Sequence, residues 1–431
     1  MKKIILFSLL ALVSCKKEPT TEFPLKGNYS YVSTLKSGVR VTSKDLKQGI
    51  IDKNNNVILP NEYKSLNVLK DKIVYTKDNM MGILSLNGKN LLKNKYEYIY
   101  PFQENYLIKN KGKYGIIDKN EKEIVPPKYD AIRPFKENRA IVVLKNKYGV
   151  IDKNGKEIVA PVYEYITDYS DEMAMTVTKD LKAGFLNKNG KEIFDEIFNY
   201  TEPFKGKSTA VVQGEKFGVI DKNGNFSIDL QNERINPLGD DLYSIKDQNY
   251  FYLINMKNEK ILNKKFNNIG EKIEGLISVT LDGKFGYLNS KGDEIIPIIY
   301  SELGLPQNEL IIAKDDSNQK FGVIDFKNKF VVEPKYSYIS SRNKNFFIVG
   351  NEETKEGVVN KNGKIILPLE YSDLEFKGDN LIIGYNKNNE YKLIKINEKS
   401  SKVLDLNISE IIDYNNDEII VKNSEGIKIY K

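Results

Sequence analysis

The apolar positions of this chain fall into short runs separated by polar turn residues. The run RAIVVLKN (139–146) is rich in β-branched residues and predicts a β-strand, and we expect the following YGVID to continue extended. KNGK (153–156) supplies an Asn-Gly pair, whose positive φ angles suit a tight hairpin. KEIVA (156–160) forms the returning arm until Pro161, which cannot donate to a ladder and so ends the strand or marks a sheet edge. YEYITDY (163–169) is a candidate for a further short strand.

This pattern recurs at a spacing of 33 to 36 residues, which defines twelve units, and no helical period is found beyond the N-terminal segment. A glycine marks most of the units, and an aromatic residue precedes it in five of the nine that follow: Gly49, Gly82, Gly115, Gly149, Gly184, Gly218, Gly286, Gly322 and Gly357. Fourteen residues later stands an aromatic: Tyr63, Tyr96, Tyr129, Tyr163, Phe198, Phe266, Tyr300, Tyr336 and Tyr371. The register passes through Tyr252 without its glycine, is degenerate near Lys392, and ends at Gly426.

Each unit predicts three or four short antiparallel strands. A lone sheet of this size buries too little apolar surface, so we expect units to fold only against their neighbours. The aromatic residues and the aliphatic ones three positions later would then pack between sheets. For the repeat glycine two explanations stay open, namely that it leaves room for an aromatic ring of the next unit or that it permits a β-bulge.

The pattern [YF]-G-[VI]-I-D-K-N-G-K-E-I-x-x-P-x-Y-[DE]-x-I resembles the WG-repeat family of bacterial β-repeat proteins, over about residues 30 to 431. The departure from the family is the namesake Trp, which is replaced by Tyr114, Tyr148, Phe217, Phe285 and Phe321 and by the non-aromatic Met81, Ala183 and Glu356. The resemblance implies a repeat architecture with binding or envelope roles, and it brings no catalytic residues.

The predicted fold class is all-β, with tandem repeats of about 34 residues. Twelve units exceed the four to eight blades of a typical propeller. We therefore expect propeller-like organisation, in one ring or two, or alternatively an open β superhelix. The repeat register is poorest near the middle of the chain, which divides it into a first array at 30–225 and a second, more divergent array at 226–431.

The N-terminus MKKIILFSLLALVSC has the proportions of a secretory signal, predicted at 1–14, since its apolar run is too short to span a bilayer. Leu12-Val13-Ser14-Cys15 resembles the bacterial lipobox, and Cys15 is the only cysteine. This resemblance implies cleavage before Cys15 and its acylation, with palmitate-type chains anchoring the protein to a membrane. Residues 15–29 would form the lipidated cysteine and its tether. No Asp follows Cys15, which favours an outer-membrane or cell-surface location.

The composition further limits the kinds of functional site that the chain can form. The chain has no histidine, so every site that needs an imidazole is excluded. The net charge of +7 is spread singly through the turns, which argues against nucleic-acid binding. The Asp-Lys-Asn-Gly segments lack the ligands of a calcium loop, and the acidic pairs Asp240-Asp241 and Asp315-Asp316 have the character of loop residues. We therefore predict no catalytic residues, no metal and no cofactor.

The predicted function is a lipid-anchored binding or scaffold protein of the cell envelope that acts through protein–protein interaction. The alternative is glycan or peptidoglycan binding through exposed tyrosines, and a carboxylate-only glycan hydrolase is less favoured. Tyrosines that fall outside the repeat are the better ligand candidates: Tyr29, Tyr31, Tyr169, Tyr243 and Tyr250.

Overall fold

The computed structural model describes residues 22–23, 25, 27–231, 233–388, 390–404, 410–415, 418–423 and 426–430. The predicted signal peptide 1–14 and the predicted lipid attachment site Cys15 lie outside the described residues. The described residues form two compact units, one within the ranges 1–73, 85–89 and 407–431 and one within the ranges 74–84 and 90–406.

The described residues form β-strands joined by turns, and none of them is helical. The first strands are β1 (Glu22–Phe23), β2 (Tyr31–Val32), β3 (Val39–Lys44), β4 (Lys47–Asp52), β5 (Val57–Tyr63), β6 (Ser65–Val68), β7 (Lys72–Lys77), β8 (Met80–Ser85), β9 (Asn90–Tyr96), β10 (Tyr98–Phe102), β11 (Asn105–Asn110), β12 (Lys113–Ile117), β13 (Glu123–Tyr129), β14 (Ala131–Ile132) and β15 (Arg139–Leu144). The next are β16 (Lys147–Asp152), β17 (Glu157–Tyr163), β18 (Tyr165–Ile166), β19 (Met173–Val177), β20 (Ala183–Asn187), β21 (Glu192–Phe198), β22 (Tyr200–Thr201), β23 (Ser208–Gln213), β24 (Lys216–Asp221), β25 (Phe226–Gln231), β26 (Ile235–Gly239), β27 (Leu242–Asp247), β28 (Tyr250–Asn255), β29 (Asn268–Ile273) and β30 (Leu276–Leu281). The last are β31 (Lys284–Leu288), β32 (Glu294–Tyr300), β33 (Leu310–Asp315), β34 (Lys320–Asp325), β35 (Phe330–Tyr336), β36 (Tyr338–Arg342), β37 (Phe346–Gly350), β38 (Glu356–Asn360), β39 (Ile365–Phe376), β40 (Leu381–Tyr385), β41 (Tyr391–Ile396), β42 (Ser401–Leu404), β43 (Glu410–Tyr414), β44 (Ile419–Asn423) and β45 (Gly426–Tyr430).

Consecutive strands pair antiparallel into small sheets. In the larger compact unit, β10 to β13, β14 to β17, β18 to β21 and β22 to β25 each form a four-stranded sheet in chain order. This up-and-down arrangement is that of a propeller blade. The prediction of an all-β chain with three or four antiparallel strands in each repeat of about 34 residues is confirmed. The predicted boundary at 225/226 lies between β24 and β25, which are paired strands of one sheet.

The predicted continuous extended segment through 139–152 is wrong, because a two-residue turn divides it into β15 and β16. Lys145 and Asn146 both take positive φ angles, 51° and 61°. Two successive left-handed residues match the right-handed twist of the flanking strands, as in a type I′ hairpin. The chain therefore reverses at Lys145, and Leu144 pairs with Lys147.

The turn after β16 differs from the predicted Asn-Gly hairpin. Gly155 has a φ of 80°, whereas Asn154 stays outside the left-handed region. The N–H of Gly155 donates to the carbonyl of Asp152 at 3.0 Å, and the Asp152 N–H donates to the Lys156 carbonyl at 2.9 Å. The Asp152 carboxylate accepts the N–H groups of Asn154 and Lys156, both at 2.9 Å. The aspartate of Asp-Lys-Asn-Gly thus closes the turn as an Asx cap.

The repeat glycine lies opposite a β-bulge. Tyr148 pairs with Tyr163, but Val150 pairs with Val159, so residues 160–162 of β17 lie opposite the single residue Gly149, which is two residues more than a regular ladder has. A Cβ on Gly149 would lie 2.7 Å from the Val159 carbonyl oxygen. The carbonyl ten residues on is also the nearest obstacle at Gly49, Gly82, Gly115, Gly218, Gly286, Gly322 and Gly357. The bulge explanation is correct, and the ring of a next unit is not what these glycines accommodate.

Gly184 lies in β20 opposite the same bulge, where the pairing shifts between Ala183 and Phe185. Pro161 falls within the bulge of β17, and β17 is the edge strand of its sheet, as the proline predicts.

The aromatic fourteen residues after the glycine is packed between sheets. Eight of the predicted rings are buried, namely Tyr63, Tyr96, Tyr129, Tyr163, Phe198, Phe266, Tyr300 and Tyr336, and Tyr371 is half-buried. Tyr129 belongs to a cluster that joins Ile116 of one sheet to Val142 and Ile151 of the next. Its hydroxyl donates to Glu157 of that next sheet at 3.2 Å. Tyrosine at this position thus combines apolar burial with a polar link between neighbouring sheets.

In the smaller compact unit, residues from both ends of the described chain share one sheet. β1 pairs antiparallel with β45, with Glu22 opposite Tyr430 and Phe23 opposite Ile429. These two β1 residues fall within the segment 15–29 predicted as tether. β2 to β5 form a second sheet of this unit.

Candidate functional site

A tyrosine sixteen residues after the repeat glycine begins the first strand of several sheets. Tyr98, Tyr165, Tyr200 and Tyr338 occupy this position at the starts of β10, β18, β22 and β36. In β18, the Tyr165 ring packs against the Tyr148 ring of the preceding sheet, with centroids 5.3 Å apart. This contact fills the space between the two sheets at that point.

Arg133 completes this aromatic contact. Its guanidinium lies 5.4 Å from the Tyr148 ring centroid and 5.1 Å from that of Tyr165, which is cation–π distance for both rings. The same guanidinium donates to the Ile166 carbonyl at 3.1 Å and lies 3.6 Å from the Asp168 carboxylate. The space between the sheets β14–β17 and β18–β21 is therefore filled at this point by the protein's own Tyr148, Tyr165 and Arg133 side chains.

At the preceding junction Ala131 stands where Tyr165 stands in the next unit. Ala131 begins β14 and pairs with Val143, just as Tyr165 begins β18 and pairs with Val177. A groove of about 620 Å³ opens there between the sheets β10–β13 and β14–β17. We name it the Ala131 groove, and it is lined by Glu97, Tyr98, Leu107, Lys109, Tyr114, Asp130, Ala131 and Ile132.

Strand register places the key side chains of the Ala131 groove in one row. Tyr98 pairs with Lys109, and Lys109 pairs with Tyr114, so all three side chains project from the same face of the sheet. The Lys109 ammonium lies 5.0 Å from the Tyr114 ring centroid. Tyr98 is 38% exposed and Tyr100 is 55% exposed, and their nearly parallel rings lie 6.0 Å apart.

The carboxylates of the groove are already engaged. Glu97 accepts the backbone N–H groups of Lys111 at 2.7 Å and Gly112 at 3.2 Å. Asp130 accepts the Lys145 N–H at 2.7 Å and forms an ion pair with Lys113. The Lys113 hydrogen bond, followed by the Lys145 N–H, holds the pKa of Asp130 below its usual value. An ionised, capped carboxylate is suited to fixing the loop, and a general acid would need a raised pKa.

Two of the tyrosines predicted as ligand candidates are buried, so that prediction is wrong for them. The Tyr169 hydroxyl donates to the Asn187 carbonyl at 3.1 Å, and the Tyr243 hydroxyl shares a hydrogen bond of 2.6 Å with Ser208. Burial raises the pKa of both to about 12. Tyr169 is in fact periodic, since Phe102, Phe135 and Phe204 also stand twenty residues after their glycines. Tyr29, Tyr31 and Tyr250 are half-buried and stay predictions.

The acidic departures from the repeat have structural partners. Asp241 accepts the Lys207 N–H and the Ser208 hydroxyl, both at 2.8 Å. Asp316 forms an ion pair with Lys284 and accepts the Ser301 hydroxyl. In the described part of the chain, no three His, Cys, Asp or Glu residues come together in a way that could hold a metal ion. No helix among the described residues is both long and apolar enough to cross a bilayer.

Sequence reasoning missed the Ala131 groove, although the signal was present. When the units are aligned on their glycines, the sixteenth following position holds tyrosine at 98, 165, 200 and 338, whereas other units hold residues such as Ser65, Glu302 and Asp373, and Ala131 places one of the smallest side chains there. The predicted ligand residues lie outside the repeat, whereas the groove results from a small residue inside it.

Tandem four-stranded antiparallel sheets that pack through periodic aromatic residues define a β-repeat protein with propeller-like blades. The profile of the WG containing repeat matches six segments, at residues 81–113, 114–148, 148–180, 285–318, 321–353 and 357–391. The chain is a WG-repeat protein, as its sequence pattern predicts.

No curated protein matches this sequence. Among solved structures, it is similar to a eukaryotic initiation factor, with 11% identity over 70% of this chain and 95% of that one, at a TM-score of 0.35. It is similar to PorZ, a bacterial surface component of the type-IX secretion system of Porphyromonas gingivalis, with 10% identity over 85% and 62% of the chains and a TM-score of 0.24. It is also similar to BamB from Moraxella catarrhalis, with 14% identity over 58% and 90% and a TM-score of 0.26.

Proposed function

We propose that this WG-repeat protein is a lipid-anchored scaffold of the bacterial cell envelope, which binds a protein partner through its repeat surface and has no catalytic role. The observation that carries the proposal is the Ala131 groove, where the small side chain of Ala131 leaves open the space that Tyr165 occupies in the next unit, and where the Tyr98 and Tyr114 rings line the opening. Grooves with aromatic and apolar walls and a few polar groups are typical of binding sites.

The charged groups around the groove favour binding over catalysis. Glu97 and Asp130 are held by backbone N–H groups, and Asp130 is also paired with Lys113. A glycosidase needs two carboxyl groups with opposed protonation states. The lowered pKa of Asp130 argues against its serving as the proton donor of such a pair.

The envelope location rests on the lipobox at Leu12 to Cys15. We expect Cys15→Ala to abolish incorporation of radiolabelled palmitate and to release or mislocalise the protein. Ser14→Ala is the matched control, because it keeps a small residue before the cysteine and should preserve labelling. Labelling that persists in Cys15→Ala would refute the anchor.

Partner binding can be tested by photo-crosslinking in intact cells. A photoreactive phenylalanine analogue at position 98 lies on the groove, whereas the same group at position 46 replaces a residue that is 93% exposed and far along the sequence from it. We expect a discrete protein adduct from position 98 and none from position 46. Equal or absent adducts at both positions would contradict a protein partner at this surface.

A second candidate function is glycan binding, which is favoured by one observation. Tyr98 and Tyr100 present exposed, nearly parallel rings on one face of β10, and such rings can stack on sugars. A glycan array probed with the intact protein tests this candidate, and retention of no sugar at any tested concentration would remove it.

A further inference from the structure

The intersheet junction at Tyr165 contains an aromatic ring at the position where the Ala131 groove has only a methyl group. Both junctions present a tyrosine one residue before the repeat glycine, Tyr148 in one and Tyr114 in the other. At the first junction the Tyr165 ring packs on Tyr148. At the second, the residue in the same register is Ala131, whose side chain is a single methyl group.

We propose that the Ala131 groove binds one aromatic side chain of a protein partner, which takes the place that Tyr165 occupies in the next unit. The inference rests on the proposed binding function and specifies the chemistry of the occupant. The partner's ring would pack on Tyr114, as Tyr165 packs on Tyr148, between the sheets β10–β13 and β14–β17.

The walls of the groove suit an aromatic ring. Leu107 and Ile132 provide apolar surface beside Tyr114. A cation is also present, because the Lys109 ammonium lies 5.0 Å from the Tyr114 ring, in the role that Arg133 plays beside Tyr148 and Tyr165. Offset or tilted ring pairs and cation–π contacts both favour aromatic occupants over aliphatic ones.

The polar groups of the groove favour a ring over a sugar. A pyranose needs hydrogen-bond partners for several hydroxyl groups, and removing these from water without partners is costly. The Glu97 and Asp130 carboxylates already accept the N–H groups of Lys111, Gly112 and Lys145. The groove volume of about 620 Å³ also leaves room for the partner's flanking peptide beside one ring.

The test measures binding of the probe N-acetyl-L-tyrosinamide to the intact protein by saturation-transfer NMR. We expect saturation of the probe's ring protons in the wild type and at least a tenfold weaker effect in Ala131→Tyr, which fills the groove with the protein's own ring. Val57→Tyr adds a tyrosine at an exposed strand position elsewhere and should leave the signal unchanged. An equal signal in Ala131→Tyr would overturn the inference.

Two further measurements test whether the groove prefers an aromatic ligand. N-acetyl-L-leucinamide and N-acetylglucosamine should bind at least tenfold more weakly than the tyrosine probe, and equal binding of either would refute an aromatic site. Should Ala131→Tyr fail to fold by circular dichroism, Tyr114→Leu serves instead. It keeps an apolar side chain but removes the ring, and an unchanged signal in that variant would equally refute the site.

The crosslinking experiment separates this inference from the proposed function. If the adduct at position 98 forms equally in the Ala131→Tyr background, a protein partner is supported and the aromatic site is refuted. If the probe binds in the groove but no protein adduct forms, the aromatic site stands and the protein partner is refuted.

Discussion

The guanidinium of Arg40 and the carboxylate of Glu418 form a buried ion pair between residues 378 positions apart in the sequence. Arg40 Nη2 donates to Glu418 at 3.0 Å, and its other terminal nitrogen bonds to the second carboxylate oxygen. The Leu35 N–H also donates to Glu418, at 3.0 Å. This bidentate contact lies within the smaller compact unit, and it joins β3, which contains Arg40, to the residue that directly precedes β44.

Loss of one partner should be costly, because the other charge would stay buried. We expect Glu418→Ala to lower the free energy of unfolding by about 3–5 kcal/mol, measured by urea denaturation of the full chain. Replacing both partners with apolar residues, as in Arg40→Met with Glu418→Leu, should recover much of that loss. Glu172→Ala, which removes an exposed ion pair with Lys188, is the control and should leave stability unchanged. A Glu418→Ala protein as stable as the wild type would contradict the buried pair.

The glycine opposite the bulge gives a second prediction. Gly149→Ala places a Cβ 2.7 Å from the Val159 carbonyl and 2.8 Å from the Pro161 nitrogen, and both of these atoms are backbone. We expect a loss of about 1–3 kcal/mol in unfolding free energy, as for other overpacked sites. Gly283→Asn is the control, since Asn146 occupies the same turn position with a φ of 61°. Comparable losses in the two variants would show that the bulge is not the cause.

Tyr243 gives a prediction at alkaline pH. Burial, first of all, raises the pKa of its hydroxyl to about 12 in the folded protein, with a smaller contribution from Asp241, whereas an unfolded tyrosine titrates near 10. The folded state therefore keeps the neutral form, and this stabilisation is complete below pH 10 and is lost as pH rises from 10 to 12. Because of this shift in pKa, we expect the ionisation of Tyr243 to lower the free energy of unfolding by about 2–3 kcal/mol between pH 10 and pH 12.

The Tyr243→Phe variant separates the ionisation of the Tyr243 hydroxyl from the packing of its ring. At pH 7 the variant loses the hydrogen bond with Ser208 and should be less stable by about 1 kcal/mol. Between pH 10 and 12 its stability should fall less than that of the wild type, because no phenol ionises on unfolding. Urea denaturation at pH 7, 9, 10 and 11.5 provides the comparison. Parallel pH curves for the two proteins would disprove the role of Tyr243.

Much of the fold follows from residue pattern because each unit contains the same local signals. The recurring Tyr163 predicts the buried ring, whereas the recurring Gly149 leaves the bulge as one of two explanations, because only the pairing of Tyr148 with Tyr163 shows the extra residues. The paired Lys145-Asn146 turn was harder to predict, because Lys145 is an unusual residue for a positive φ. The Asn-Gly pair predicts a hairpin turn at 153–156, but the geometry of that turn depends on the side chain of Asp152.

Two features depend on contacts that a single unit does not contain. The Arg40–Glu418 pair joins distant repeats, and neither residue belongs to the recurring pattern. The Ala131 groove forms where a small alanine side chain stands in the register of Tyr165. The absent aromatic ring is recognised only when this junction is compared with the one that Tyr165 fills. Pattern analysis weights residues that recur, so a small residue in a periodic position escapes it.

The pairing of β1 with β45 also sets an order of events during biosynthesis. Glu22 and Phe23 leave the ribosome long before Ile429 and Tyr430 have been translated, so the earliest described strand has to wait for the latest one. Intermediate sheets can form as their residues emerge, because their strands are neighbours in sequence, whereas closing so long a loop is entropically costly and slow. A nascent chain that stalls before residue 426 would leave β1 without its partner strand, and the exposed N-terminal backbone would mark that product for proteolysis.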